Sequence, residues 1–181
     1  MSYDYLNQGK KLILNEIKFF KSQIDANKYM KEKKLEIEDK QDSIKQTKIN
    51  DLMNLFKEYF LGKNINLIQE VNKFNVDLGL YEKFYTPFSQ KVIEYITKLN
   101  RGETTTYSEI GDIIGSKGYQ AIGNVLRKNP LPLIIPCHRV IRKNGKIGGF
   151  NGVSEDCWET NLKKDLLRIE GYNSKGTQHK N

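Results

Sequence analysis

Residues 104–130 read TTTYSEIGDIIGSKGYQAIGNVLRKNP. Thr106 followed three residues later by Glu109 has the pattern of a capping box, in which each side chain satisfies the other's free backbone N–H at a helix start. Ile110, Ile113 and Ile114 give the short helix that follows a core face. GSKG then makes a tight turn, and a second helix over about residues 118–128 carries Tyr119, Ile122, Val125 and Leu126 inward. Helix, glycine turn and helix together form a helix-turn-helix pattern. On the outer face of the second helix, Ala121 and Gly123 are small enough to let a backbone approach another surface closely, and Arg127 and Lys128 end the helix with charges suited to phosphates. The same residues also fit a plain helical hairpin whose basic end complements its own dipole.

Upstream, TPFSQKVIEYITKLNRGE predicts a helix capped by Thr86, with Pro87 at its first position, a buried stripe of Phe88, Val92, Tyr95, Ile96 and Leu99, and a stop at Gly102. A domain boundary is expected near residue 85. Before it, Ile49, Leu52, Met53, Phe56, Tyr59 and Phe60 make the apolar face of a helix over about residues 48–61, with Gly62 as its C-terminal cap. Phe74, Val76, Leu78 and Leu80 alternate with polar residues or glycine and predict a strand. Ile13, Ile17, Phe20 and Ile24 have the spacing of an amphipathic helix, and KYMKEKKLEIEDKQDSIKQTK reads as a solvated loop or weak hairpin. The expected fold is α+β: a small mixed α/β N-terminal domain over residues 1–85, a mainly helical domain with the helix-turn-helix over residues 86–171, and a frayed tail over residues 172–181.

Downstream, LPLIIPC predicts a short extended run between Pro132 and Pro136. Asn144-Gly145 is a hairpin signal. Ser154, followed by Glu155 and Asp156, is expected to open a last helix with Trp158, Leu162, Leu166 and Ile169 on one face and Gly171 after it.

Bulk properties narrow the function. The net charge of +8 over 181 residues favours anionic partners such as nucleic acid, although a lysine-rich composition also produces it without any function. Two cysteines, Cys137 and Cys157, make no disulfide framework and suit a reducing cytosol. Two histidines, His138 and His179, are too few for a histidine-based metal site, so neither a metal nor a cofactor is expected. The N-terminus lacks a signal-like apolar core, and no run approaches the ~18 apolar residues of a membrane span. A cytoplasmic, nucleoid-accessible protein is the expectation, with no membrane partner.

Cys137 stands directly before His138 and Arg139. The thiolate is the nucleophilic form, and a neighbouring imidazole or cation lowers a thiol's pKa. Adjacent residues on an extended segment, however, point to opposite faces. On local chemistry alone a reactive and a structural Cys137 stand equal. Cys157, among the acids of SEDCWE, reads as structural or incidental.

The heptad IPCHRVI closely resembles the active-site signature of the O6-alkylguanine-DNA alkyltransferases, suicide DNA repair proteins. TPFSQKV, GETTTYSEIG, RKNPLPLIIPCHRVI, NGKIGGF and LLRIEG are similar to that family's pattern in the same order, over about residues 85–171. The resemblance implies that the protein binds double-stranded DNA through the minor groove, as a monomer. There it rotates O6-alkylguanine out of the duplex and moves the alkyl group irreversibly to Cys137. His138 would act as base through a water, Glu170 would orient that histidine, and Asn129 would hold the recognition helix against the active-site segment. Tyr107 would serve the everted base, and Val140, Gly148, Gly149 and Phe150 would wall its pocket. Gln120 departs from the pattern, because the family usually has arginine there to fill the gap left by the everted base. With Gln120 in that place, Tyr119 is the candidate wedge. The stretch after Phe150 is longer than usual. The main alternative is a non-catalytic protein that binds alkylguanine in DNA, a class that lacks the cysteine. A helix-turn-helix regulator would want polar base-reading residues in place of Ala121 and Gly123, and a cysteine peptidase would want a second histidine in the folded part.

Overall fold

A computed structural model of the chain describes residues 2–6, 11–32, 43–150, 153 and 157–172. The fold is α+β. Strands β1 (Ser2–Leu6) and β2 (Lys11–Glu16) form an antiparallel pair, and β3 (Val76–Asp77) joins β2 in parallel, with Leu12 opposite Val76. The helix expected through Ile13, Ile17, Phe20 and Ile24 does not form. Leu12 and Leu14 are both fully buried, so the period that counts here is two. The real helix, α1 (Gln23–Glu32), begins beyond it and leaves Ile24 78% exposed.

Helix α2 (Ser43–Phe60) buries Leu52, Leu55, Phe56 and Tyr59, while Met53 and Phe60, expected on the same face, are exposed. With α1 and α2, both ends of the stretch expected as loop or hairpin are helical; residues 33–42 lie outside the described residues. Gly62 follows α2 in the left-handed conformation (φ 85°), as a cap glycine does. Helix α3 (Leu67–Lys73) leads into β3. The predicted strand over Phe74–Leu80 shrinks to two residues because left-handed Asn75 (φ 53°) and Gly79 (φ 52°) turn the chain at either end. Leu80 instead opens α4 (Leu80–Lys83).

The second half follows its local signals more closely. Thr86 and Ser89 form a capping box at α5 (Pro87–Thr97). The helix stops at Thr97, ahead of Gly102. Strand β4 (Thr105–Thr106) leads into α6 (Tyr107–Ile114), whose Thr106–Glu109 capping box is complete and whose C-cap, Gly115, is left-handed (φ 71°). Helix α7 (Tyr119–Arg127) packs against α6 and α5. Ile122 and Leu126 are buried, but Tyr119, expected inward, is 42% exposed.

Residues 131–140 are all buried. They do not begin as the expected extended run. Leu133 is left-handed (φ 76°), and the Ile135 N–H donates to the Leu131 carbonyl at 2.9 Å, which closes a compact turn. Strand β5 (Val140–Ile141) then pairs in parallel with β4, Thr105 opposite Val140. At Asn144-Gly145 the chain turns as expected, with Gly145 at φ 75°. Helix α8 (Trp158–Ile169) starts from Cys157, whose backbone N–H donates to the Thr160 hydroxyl at 3.0 Å; the start expected at Ser154 to Asp156 lies outside the described residues, as does the tail beyond Tyr172.

One core cluster runs from Leu12 and Tyr59 through Ile96 and Ile122 to Leu166. The Ile17 N–H donates to the Pro130 carbonyl at 2.8 Å, tying the N-terminal strands to the end of the helix-turn-helix. Among the described residues no helix is long and apolar enough to cross a membrane.

Candidate active site

Cys137, His138 and Arg139 form a 3-10 turn after Pro136. The Arg139 N–H donates to the Pro136 carbonyl at 2.9 Å, and all three side chains are buried. This bend removes the constraint that adjacent residues on a strand face opposite ways. Asn129 fixes the turn from below. Its Nδ2 donates to the Ile135 carbonyl at 3.0 Å and to Cys137 Sγ at 3.1 Å, while its Oδ1 accepts from the Leu131 N–H at 3.0 Å.

Behind the thiol lies a buried polar cluster centred on Glu170, the C-cap of α8. Its Oε1 accepts from Tyr59 Oη at 2.7 Å and Arg139 Nη2 at 2.7 Å, and lies 3.2 Å from His138 Nε2. Its Oε2 accepts from Arg139 Nε at 3.0 Å and the Gly102 N–H at 3.4 Å. Arg139 Nη1 also donates to the Leu99 carbonyl at 2.6 Å. Gly102 is required where it stands. It is left-handed, and a Cβ there would come 2.7 Å from the Glu170 carbonyl oxygen.

The protonation states follow from burial and partners. Burial raises the Glu170 carboxyl, but the hydrogen bonds and charges of His138 and Arg139 outweigh it and hold the group well below the usual carboxylate range. Burial pushes the His138 imidazole below its ordinary value despite the Glu170 carboxylate, so it is neutral near pH 7. Nε2 faces the carboxylate and therefore carries the proton. Nδ1 is buried and has no hydrogen-bond partner among the described residues, which leaves it as the basic lone pair. Burial likewise raises the Cys137 thiol, opposed by the Asn129 hydrogen bond and the Lys163 charge. The resting state is thus a protonated thiol near a neutral imidazole.

Lys163 escaped the sequence reading. It is 1% exposed, and its Nζ donates to the Val140 carbonyl at 2.7 Å and the Gly149 carbonyl at 3.1 Å. Burial lowers its ammonium to about 8, against the pull of Cys137. The available signal was its place three residues before Leu166, on the buried stripe of α8.

Cys137 opens into a cleft of about 690 Å³, within the range of single-ligand pockets. Tyr119, Gln120, Gly123 and Arg127 of α7 form one wall, with Tyr107 beside Gly123. Arg142, Gly149, Phe150 and Val153 form the other. Burial and the nearby Cys137 raise the Tyr107 hydroxyl above its ordinary value, so it stays protonated. The structure places four of the expected residues away from this lining. Ala121 is exposed on α7 and Lys128 just after its end, Val140 is fully buried, and Gly148 lies against the Arg142 side chain. Gln120 is exposed at the cleft edge. Arg142 is a lining residue that the sequence reading passed over.

A family model described as 6-O-methylguanine DNA methyltransferase, DNA binding domain, matches residues 87–172. A methylated-DNA–protein-cysteine methyltransferase of Methanothermobacter thermautotrophicus is 41% identical over 91 residues, covering 50% of this chain and 48% of that protein. One of the same name from Saccharolobus solfataricus is 42% identical over 114 residues, 62% of this chain and 63% of that one. A third, from Sulfolobus acidocaldarius, is 37% identical over 123 residues, 68% of each chain. The chain thus spans about half the length of the first of these relatives. Among solved structures, Mycobacterium tuberculosis OGT in complex with DNA matches at 30% identity with a TM-score of 0.51, covering 67% of this chain and 66% of that one. The O6-methylguanine-DNA methyltransferase of Pyrococcus kodakaraensis matches at 28% identity with a TM-score of 0.50, covering 66% and 62%.

Proposed function

The chain belongs to the methylated-DNA–protein-cysteine methyltransferase family, and from that premise we propose that it repairs DNA by taking the alkyl group of O6-alkylguanine onto Cys137, once per molecule. The observation that carries this reading is the thiol lining a cleft of about 690 Å³, next in the chain to a neutral imidazole whose free nitrogen is basic and whose other nitrogen is held by a buried carboxylate. That is the nucleophile, base and orienter arrangement of activated thiols.

The damaged base is unreachable inside the stack and must be everted into the cleft. His138 Nδ1, through a water, takes the Cys137 proton. Sulfur attacks the alkyl carbon in line, the C–S bond forms, and the carbon–O6 bond breaks with its electron pair left on guanine. The Tyr107 hydroxyl gives its proton to the guanine and is reprotonated through water from the His138 imidazolium, so the thiol proton ends, net, on the base. The thioether product does not turn over. Helix α7 would approach the minor groove with Ala121 and Gly123, and Arg127 and Lys128 would hold phosphates. Residues 86–171 carry this chemistry, with residues 1–85 as a variable unit behind them. The protein would act as an intracellular monomer with access to the nucleoid.

The test is to mix the protein with duplex carrying radiolabelled O6-methylguanine. Stoichiometric label on the peptide containing Cys137 supports the reading. Tight binding without transfer would favour a non-catalytic alkylguanine binder, and neither result would leave only a helix-turn-helix regulator.

Two further outcomes are expected. Gln120 hydrogen-bonds the orphaned cytosine but carries no charge, so Gln120→Arg should speed single-turnover transfer from duplex several-fold; an unchanged rate would remove Gln120 from the eversion step. Lys163→Met leaves the Val140 and Gly149 carbonyls unmet, a loss of about 2–3 kcal/mol for bonds from a charged donor. It should lower Tm by roughly 5–10 °C and slow transfer, measured by thermal melting and the same label assay.

A further inference from the structure

We propose that Tyr59, from the N-terminal half of the chain, is a positioning residue of the reaction centre and acts through Glu170. This rests on the alkyl-transfer reading above. Nothing in the sequence marks Tyr59 as more than one apolar residue of α2. In the fold it lies fully buried in the last turn of that helix, 111 residues from the carboxylate that its hydroxyl meets at 2.7 Å. The same hydroxyl is 3.5 Å from His138 Nε2. The ring is held on two sides, with the Arg101 guanidinium over its face at 4.8 Å and Phe60 against it edge-on at 5.5 Å. Arg101 in turn donates to the Ile169 carbonyl at 2.6 Å. The tyrosine is thus fixed against the end of α8 where Glu170 sits.

Glu170 Oε1 is shared by three donors. Tyr59 and Arg139 stand at 2.7 Å, and His138 Nε2, at 3.2 Å, is the furthest. Two lone pairs cannot serve three donors equally well. The tyrosine hydroxyl therefore sets how much of the carboxylate the imidazole feels, and it locks the rotation of the carboxylate that orients the imidazole. The other charged and titratable groups facing His138 are Arg139 on its own turn, Lys163 on α8 and Cys137. None of them comes from the N-terminal half.

Removing the hydroxyl frees Oε1 for His138. The imidazolium gains a closer counter-charge, so the His138 titration midpoint rises, while the orientation of the imidazole loosens. For Tyr59→Phe we expect a transfer rate roughly tenfold lower near pH 7, a fraction of the 10²–10⁴ that a positioned base supplies, and a His138 midpoint raised by about half a unit or more. The midpoint is read by NMR of the full-length protein. The chain has only two histidines, so a His179→Asn background isolates the His138 signal, and this reading needs no substrate. A double-mutant cycle supplies the second test. In a Glu170→Gln background, Tyr59→Phe should add little further loss of rate, because the two act as a unit. An unshifted His138 midpoint, or an equal rate loss in both backgrounds, would overturn the proposal. Failure of the wild type to take up label would overturn the functional reading instead, while the NMR titration still decides the role of Tyr59.

Discussion

Cys137→Ser is expected to end alkyl transfer while leaving the protein folded and able to hold DNA. The side chain sits at the cleft floor with Asn129 Nδ2 donating to it at 3.1 Å, a bond that a serine oxygen accepts equally well. The reaction, however, needs an anionic nucleophile. A thiol ionises near pH 8.5 when unperturbed, and a hydroxyl does so only many units higher. The Cys137 site itself raises the thiol by burial, so the margin that His138 must overcome is already wide, and an alkoxide lies beyond it. The loss should be on the order of 10³-fold or more, below the detection of label on protein. Duplex affinity should stay within a few-fold of wild type, because the contacts assigned to phosphates lie on α7 and not on the turn. Gel shift and label transfer on the same preparation check both halves. Residual stoichiometric transfer in the serine variant would move the nucleophile elsewhere, with Cys157 the only other thiol in the chain.

Glu170→Gln carries the second large effect, chiefly on stability. Arg139 is 5% exposed, and its guanidinium spends two N–H groups on the Glu170 carboxylate. Neutralising the carboxylate leaves a buried cation without a counter-charge. Breaking such a pair from one side costs about 3–5 kcal/mol, which lowers Tm by roughly 10 °C or more for a chain of this size. The pH dependence has a definite sign. Glu170 is held below its ordinary value of 4.5, so its contribution is fully present above that value and drains away as pH falls below it. Wild-type stability should therefore drop more steeply on the acid side of 4.5 than that of the glutamine variant, by up to about 1.4 kcal/mol per pH unit for one proton. Urea melts of both proteins across that range measure it, and parallel acid limbs would show that Glu170 is not the group responsible. Transfer should fall as well, by about 10² or more, because the imidazole loses its orienting anion.

Legibility followed the range of each interaction. Thr86 with Pro87 and Thr106 with Glu109 announce their helices because a cap is made within four residues. Gly62, Gly115 and Gly145 mark turns because left-handed backbone suits glycine whatever lies around it. The N-terminal sheet is not legible locally because β2 pairs with β3, which arrives more than sixty residues after Leu12. The short β3 was overextended because left-handed Asn75 bears no glycine to announce it. The run from Leu131 to Ile135 looked like a strand by composition, but the turn at Leu133 is imposed by the surrounding packing against Leu133's own preference.

For the site, the sequence by itself determined which groups the chain supplies: one thiol beside one histidine, a helix-turn-helix with a small-residue face, and the glutamate of LLRIEG. Only the tertiary structure decided how those groups are used. It bends Cys137 to Arg139 into a 3-10 turn, gathers His138, Arg139 and Tyr59 onto one carboxylate, and buries the Lys163 ammonium against two carbonyls of the segment after the turn. The physical reason is that a proton's position depends on burial and on partners within a few ångströms. The partners of Glu170 here lie 31 to 111 residues away along the chain, and those of Lys163 lie 23 and 14 away, beyond the reach of any local pattern.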